Sequence, residues 1–236
     1  MTSGLFVEIS AAVAAAVLAI TLHEAAHGYA ARALGDDTAA RLGRVSLNPI
    51  RHVDPVGTVL VPGMLLVSQL LAFGQVQAMF GWAKPVPVDI FRLRNPRWGM
   101  VLVAAAGPAI NFALAWGAGL LAHGVTGLGD SLPDAAEGWA YRFIALSMLY
   151  NVLLACFNLL PIPPLDGGRI LVGVLPRPLA YAVAGLERFG LLIVLGLIFG
   201  LPYLIPGFDP LGILLREVAL PVVRVLFRLS GHEVAA

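Results

Sequence analysis

Apolar positions in this chain neither alternate nor recur on a single face; they run on. Five stretches approach the roughly 20 consecutive apolar residues with which a helix crosses a bilayer. They are Leu5 to Ala31, Val56 to Phe80, Trp98 to Leu121, Trp139 to Leu160 and Leu179 to Gly200. A sixth, Leu211 to Leu229, is apolar but carries Arg216, Glu217, Arg224 and Arg228. The pattern predicts an all-α polytopic membrane protein with about 5–6 transmembrane helices. It is expected to form a single membrane-embedded domain over residues 1–236, with a core over about 5–170 and C-terminal helices over about 179–229.

Lys and Arg divide the connections into two sets. Residues 32 to 55 carry Arg32, Arg41, Arg44 and Arg51, residues 81 to 98 carry Lys84, Arg92, Arg94 and Arg97, and Arg169 and Arg177 follow the fourth run. Residues 1 to 10, 122 to 138 and 201 to 210 carry none. The positive-inside rule assigns the first set to the cytoplasm and the second to the outer side of a cell membrane. Both connections flanking Val56 to Phe80 then lie on one side, so this run is expected to pass an even number of times, zero or two. Pro62, Gly63 and Gly74 within it suit a re-entrant or hairpin element. Irregular backbone survives at membrane depth only when buried in protein or lining a wet cavity. Re-entrant or extended elements are therefore expected around residues 56–98.

Composition strengthens the membrane reading: 59% of residues are hydrophobic and 12% charged, with a mean hydropathy of +0.86, against about 25% charged in a soluble domain. The lipid bilayer is thus an expected partner. A net charge of +1 without a dense basic run speaks against nucleic acid. The lone Cys156 allows no intrachain disulfide and reads as a small buried hydrophobe. The first run is expected to stay as a span, since it has no basic leader before it.

Against this background the ionisable residues inside the runs stand out, because an Asp, Lys or Arg at mid-span costs about 2.5–3.5 kcal/mol even on a lenient insertion scale. Leu22-His23-Glu24-Ala25-Ala26-His27-Gly28 sets three ionisable residues within five positions near the end of the first run. Histidines at i and i+4 stack on one helix face and reach one ion, while Glu24 is offset but close enough to hold a metal-bound water. That is the arrangement of a metalloprotease helix, with Glu24 as base. A catalytic zinc takes three protein ligands and keeps one position open. His52, Asp54, His123, Asp166 and the few glutamates are the candidates for the third. Asp166 follows Pro161, Pro163 and Pro164 and precedes Gly167 and Gly168, a pattern expected to present its carboxylate on an extended loop with a tight turn after it. The first and fourth runs travel the same way, so Asp166 and the histidines meet at one side. A turn-capping aspartate is the plainer alternative.

These motifs resemble the site-2 protease family of intramembrane metalloproteases. The resemblance rests on His23-Glu24-Ala25-Ala26-His27 in an early span and on Asn158-x-x-Pro161-x-Pro163-Pro164-x-Asp166-Gly167. Gly107-Pro108-Ala109-Ile110-Asn111 is similar to the family's Gly-Pro-x-x-Asn element. The resemblance covers about residues 20 to 170, with these elements in the family's order. It implies one zinc ion held by His23, His27 and Asp166, Glu24 as general base, and Asn158 near the scissile peptide or its oxyanion. The expected substrate is a transmembrane helix of a membrane protein. The chain looks like a short member, without room for an inserted PDZ domain.

Other polar residues divide between site and scaffold. His52 lies on the metal side, as a substrate-side or oxyanion group or as part of a loop cap; Asn111 has the same substrate-side alternative but reads foremost as an inter-helix hydrogen bonder. The segment Gly81 to Asp89 alternates Pro and Val and is expected to be extended, as a template edge for an unwound substrate or as an interfacial loop. A membrane zinc transporter or a non-hydrolytic zinc scaffold is the rival function; it calls for ionisable residues on several spans or a closed four-ligand site. Oligomeric state does not follow from the sequence.

Overall fold

The computed structural model describes residues 2–74, 81–128 and 131–233, and all regular structure among them is helical. In order these are α1 (Thr2–Ala33), α2 (Thr38–Arg41), α3 (Val61–Phe73), α4 (Pro96–Leu128), α5 (Asp134–Asn158) and α6 (Asp166–Val174). There follow α7 (Arg177–Ala184), α8 (Gly190–Leu195), α9 (Leu201–Leu204), α10 (Pro210–Ile213) and α11 (Leu220–Leu229). Four continuous helical stretches are long and apolar enough to cross a membrane: Phe6–Ala33, Pro96–Leu128, Asp134–Asn158 and Arg177–Leu204.

Small residues decide how the first three of these pack. Buried Ala11, Ala15, Ala19, His23, His27 and Ala31 of α1 form one stripe at four-residue spacing, with Thr21, Ala25 and Gly28 buried beside it. A matching stripe of Gly99, Val103, Gly107, Asn111 and Ala115 faces it on α4. The two run antiparallel: Ala19 meets Asn111, the imidazole of His23 lies over Gly107, and His27 meets Val103. Alanine and glycine let the backbones approach closely, which in lipid replaces the missing hydrophobic drive. Helix α5 runs parallel to α1, since Glu8 pairs with Arg142 at 3.3 Å and Trp139 Nε1 donates to Ser10 Oγ at 3.1 Å near their starts.

The second apolar run is not a lone span. It opens with a π-helical stretch, Pro55–Leu60, whose N–H groups at Val56 and Gly57 are capped by Asp54, and continues as α3. The apolar helix Pro55–Leu71 is about 25 Å long, short of a bilayer core of about 30 Å. Its chain neighbours meet again: Trp82 N donates to Gly57 O at 3.1 Å and Thr58 Oγ1 to Trp82 O at 2.9 Å. The two flanks of the run thus lie side by side; residues 75–80 lie outside the described ones.

The last run packs against the core. Leu214 and Ala219 join Ala115, Val152 and Cys156, while Val223, Leu226 and Phe227 cover Ala118, Ile144 and Met148.

Candidate metal centre

The end of the α1 stripe is where chemistry replaces alanine. His23 and His27 are 4% and 8% exposed, on the same face and one turn apart. Both rings are tied at Nδ1: His27 to Val103 O at 2.7 Å and His23 to Asn111 Oδ1 at 2.5 Å. The orientation of Asn111 follows from carbonyls that can only accept. Asn151 Nδ2 donates to Ser147 O at 2.8 Å, which turns Asn151 Oδ1 toward Asn111. Asn111 Nδ2 then donates to Asn151 Oδ1 at 2.6 Å and to Ala19 O at 3.3 Å, leaving Asn111 Oδ1 for the His23 ring. Each imidazole therefore carries its proton on Nδ1 and presents the lone pair of Nε2.

Those two lone pairs converge on a carboxylate. The Nε2 atoms are 3.1 Å apart, and Asp166 Oδ2 lies 3.2 Å from that of His23 and 3.3 Å from that of His27. Oδ2 is buried and accepts no hydrogen bond from any described residue. Three converging lone pairs call for a cation. A tetrahedral ion with ligand distances of about 2.0–2.1 Å has ligand–ligand edges of about 3.3–3.4 Å, close to this triangle, with the fourth position open. The donor set and its spacing fit zinc.

Helix α4 reaches this close only because of its composition. A Cβ on Gly107 would lie 2.5 Å from His27 Cε1 and Nε2 and 2.6 Å from His23 Cε1. Pro108, inside the helix, has no N–H for the Ala104 carbonyl, the neighbour of the Val103 carbonyl that accepts from the His27 ring.

Asp166 departs from the expected loop. It is the first residue of α6, and the two glycines after it are helical rather than a turn. Their role is close approach: a Cβ on Gly167 would strike the carbonyls of Leu159 and Leu160, and one on Gly168 would lie 2.5 Å from Pro163 N. The proline-rich loop thus wraps over the start of α6. At the other end Arg97 caps α6, Nε donating to Gly173 O at 2.5 Å and Nη2 to Leu175 O at 2.8 Å.

Glu24 is partly exposed, and its Oε2 accepts the Val86 N–H at 2.9 Å, while Oε1 accepts no hydrogen bond from any described residue. His52 is 3% exposed, with Nε2 donating to Ser46 O at 2.8 Å and its own carbonyl accepting Lys84 N–H at 2.9 Å. Asn158 stands in the last turn of α5 with Nδ2 donating to Leu154 O at 3.0 Å. Asn111 joins the centre through His23. Sequence reasoning missed Asn151, whose only signal was an amide inside an apolar span, and Arg44 and Asp36, which read as loop charges but are 8% and 0% exposed.

Comparison with known proteins agrees with this chemistry. The model of peptidase family M50 matches residues 123–197. The chain is 36% identical over 179 residues to YwhC of Bacillus subtilis, which bears a zinc-metalloprotease name, covering 76% of this chain and 75% of that one. It is 33% identical over 237 residues to Rip2 of Mycobacterium tuberculosis, likewise named among zinc metalloproteases, covering 99% of this chain and 79% of that one. No solved structure matches the chain.

Proposed function

The chain belongs to peptidase family M50, the site-2 protease family, and is a membrane-embedded zinc metalloprotease; on that premise we propose that it hydrolyses a peptide bond within or beside a transmembrane segment of another membrane protein. The observation that carries this reading is the triangle of His23 Nε2, His27 Nε2 and Asp166 Oδ2, buried at the end of a membrane-length helix. A metal site set among spanning helices is reached most directly through the bilayer.

His23, His27 and Asp166 would hold one zinc ion, which would supply polarisation of the scissile carbonyl and a water whose pKa is lowered toward about 7. Glu24 takes the proton of the attacking water on its free oxygen and passes it to the leaving amine nitrogen. Asn111 and the Val103 carbonyl keep the two imidazoles in the lone-pair-inward tautomer. A helical substrate hides its carbonyls in its own ladder, so it must unwind before attack, and Asn158 is assigned to its exposed backbone near the scissile bond. The extended segment Gly81–Asp89 is assigned to the same task. Its N–H groups at 82, 84 and 86 point inward, so its outer edge is residues 83, 85 and 87, of which Pro85 and Pro87 carry no donor. A paired substrate would bind there mainly through its own N–H groups, to the carbonyls of residues 83 and 87, since that of Pro85 already accepts from Arg44. We assign the protein to the cell membrane with the site toward the cytoplasm, the side to which the arginines of residues 32–55 and 81–98 are drawn.

The test is Glu24→Gln in proteoliposomes holding a single-span substrate. Zinc content is expected to stay at one per chain while cleavage disappears; cleavage retained with zinc bound would refute the mechanism.

A further inference from the structure

The extended segment Gly81–Asp89 is stitched to the rest of the protein at residues 82, 84 and 86. Trp82 N–H goes to Gly57 O at 3.1 Å, Lys84 N–H to His52 O at 2.9 Å, and Val86 N–H to Glu24 Oε2 at 2.9 Å. The first two stitches end on backbone carbonyls; the third ends on the side chain assigned as the base. No neighbouring amide can take its place, because residues 85 and 87 are prolines. The Val86 side chain is buried against α1 one turn beyond: a Cβ on Gly28 would lie 3.3 Å from Val86 Cγ1 and 3.1 Å from Val45 Cγ2. Glu24 and Gly28 share a helix face, and the segment lies along it.

Two buried charges hold this strap. Arg44 follows Gly43, whose φ of +64° turns the chain back after α2, and its guanidinium Nη2 donates to Lys84 O at 2.5 Å and Pro85 O at 3.4 Å. Those carbonyls immediately precede the Val86 N–H. Asp36, fully buried, accepts Asp89 N–H at 2.7 Å and so pins the far end. Neither residue touches the metal ligands.

We propose that the strap orients the base: Val86 N–H fixes one carboxylate oxygen of Glu24 so that the other faces the reacting water, and Arg44 is the positioning residue that keeps Val86 there. This rests on Glu24 being the base. A base must come within about 2.6–3.2 Å of the proton it takes, and a misplacement of about 1 Å costs on the order of 10²-fold in rate. Glu24 has three side-chain torsions, and its helix fixes none of them beyond the first.

The experiment uses the full chain, zinc-loaded in detergent micelles, with a fluorescence-quenched single-span peptide interrupted by Gly-Pro as probe. Val86→Pro deletes the N–H while tolerating the extended backbone, and Val86→Ala keeps the N–H but trims the side chain. Val86→Pro and Arg44→Ala are expected to lower kcat by about tenfold or more with KM changed less than about twofold and zinc content unchanged. Val86→Ala should fall by only about threefold, and Arg44→Lys, which retains a cationic donor, should recover most of the Arg44→Ala loss. A second readout needs no turnover: in a double-mutant cycle on the thermal midpoint, Val86→Pro should destabilise the wild type more than it does the Glu24→Ala background. Equal rates for Val86→Pro and Val86→Ala, or an additive cycle, would overturn the proposal. So would faster turnover in Arg44→Ala, which would make the strap a cover instead of a support, or loss of zinc. If Glu24→Gln itself still cleaves the probe, or the wild type does not, the protease reading fails and not the strap alone.

Discussion

Gly107→Ala is the smallest change that should dismantle the metal centre. It adds one methyl group on the face of α4 that meets α1, 2.5 Å from His27 Cε1 and Nε2 and 2.6 Å from His23 Cε1. Carbon atoms rest at about 3.5–4.0 Å, so roughly 1 Å must be found. The rings cannot give it by turning, because turning breaks the bonds from His27 Nδ1 to Val103 O and from His23 Nδ1 to Asn111 Oδ1. Nor can α4 back away freely, since Asn111 is also bonded to Ala19 O and Asn151. Either adjustment opens a triangle now 3.1–3.3 Å on a side.

Two opposing terms set the magnitude. Overpacking a tight contact costs about 1–3 kcal/mol, whereas replacing a mid-helix glycine by alanine returns about 0.5–1 kcal/mol. The clash wins, and its cost falls on the bound state, where the ligands must converge. Loss of an orienting interaction around a metal typically costs 10–100-fold in affinity, or about 1.4–2.7 kcal/mol, in the same range. Zinc titration against a competing chelator should therefore show a Kd raised about 10–100-fold, with hydrolysis falling in parallel. Gly117→Ala, in the same helix with open space around it, is the control and should bind zinc normally. Wild-type zinc affinity in Gly107→Ala would refute the packing argument.

The hydrogen-bonded amides give a related expectation. Asn151→Leu leaves Asn111 Nδ2 a partner short and frees its amide to flip, so zinc affinity should drop about tenfold although Asn151 touches no ligand; an unchanged affinity by the same titration would show the tautomer to be set by Val103 and Asn111 alone. Asp36 gives a pH expectation. Burial pushes its carboxyl up, but hydrogen bonds from Thr38 Oγ1, Thr38 N and Asp89 N outweigh this and hold it below the usual carboxylate range. Its stabilisation is present above the unfolded value of about 3.9 and is lost as pH falls through the lower folded value. Thermal midpoints measured below about pH 5 should fall with acid more steeply in wild type than in Asp36→Asn, and parallel curves would refute the assignment.

What the sequence disclosed and what it concealed divide along a physical line. Spans were legible because a bilayer demands long apolar runs, and the histidine pair was legible because i and i+4 share a helix face. The arginines asked that the Val56 to Phe80 run begin and end on one side, and the bond from Trp82 N–H to Gly57 O sets its two flanks together. Concealed were partners that have no letter of their own. The acceptor for His27 is a backbone carbonyl, and any residue at position 103 would supply one. Gly107 reads as a helix-packing glycine, yet what it admits is a pair of imidazoles.

The glycines after Asp166 show the same ambiguity from the other side. Preceded by three prolines, Gly-Gly reads as a turn, because turn chemistry and close approach favour the same residue. Here the second use wins: the loop is held over α6 by its own carbonyls, and only a side chain of no volume fits beneath them. The carboxylate is consequently delivered from the first turn of a helix whose far end is clamped by Arg97, a stiffer mounting than a loop. Such stiffness is what a site needs when two of its ligands come from one helix and the third from another. Zinc binds strongly only if the three donors wait at the right spacing, and the sequence supplies that through residues whose letters suggest nothing but packing.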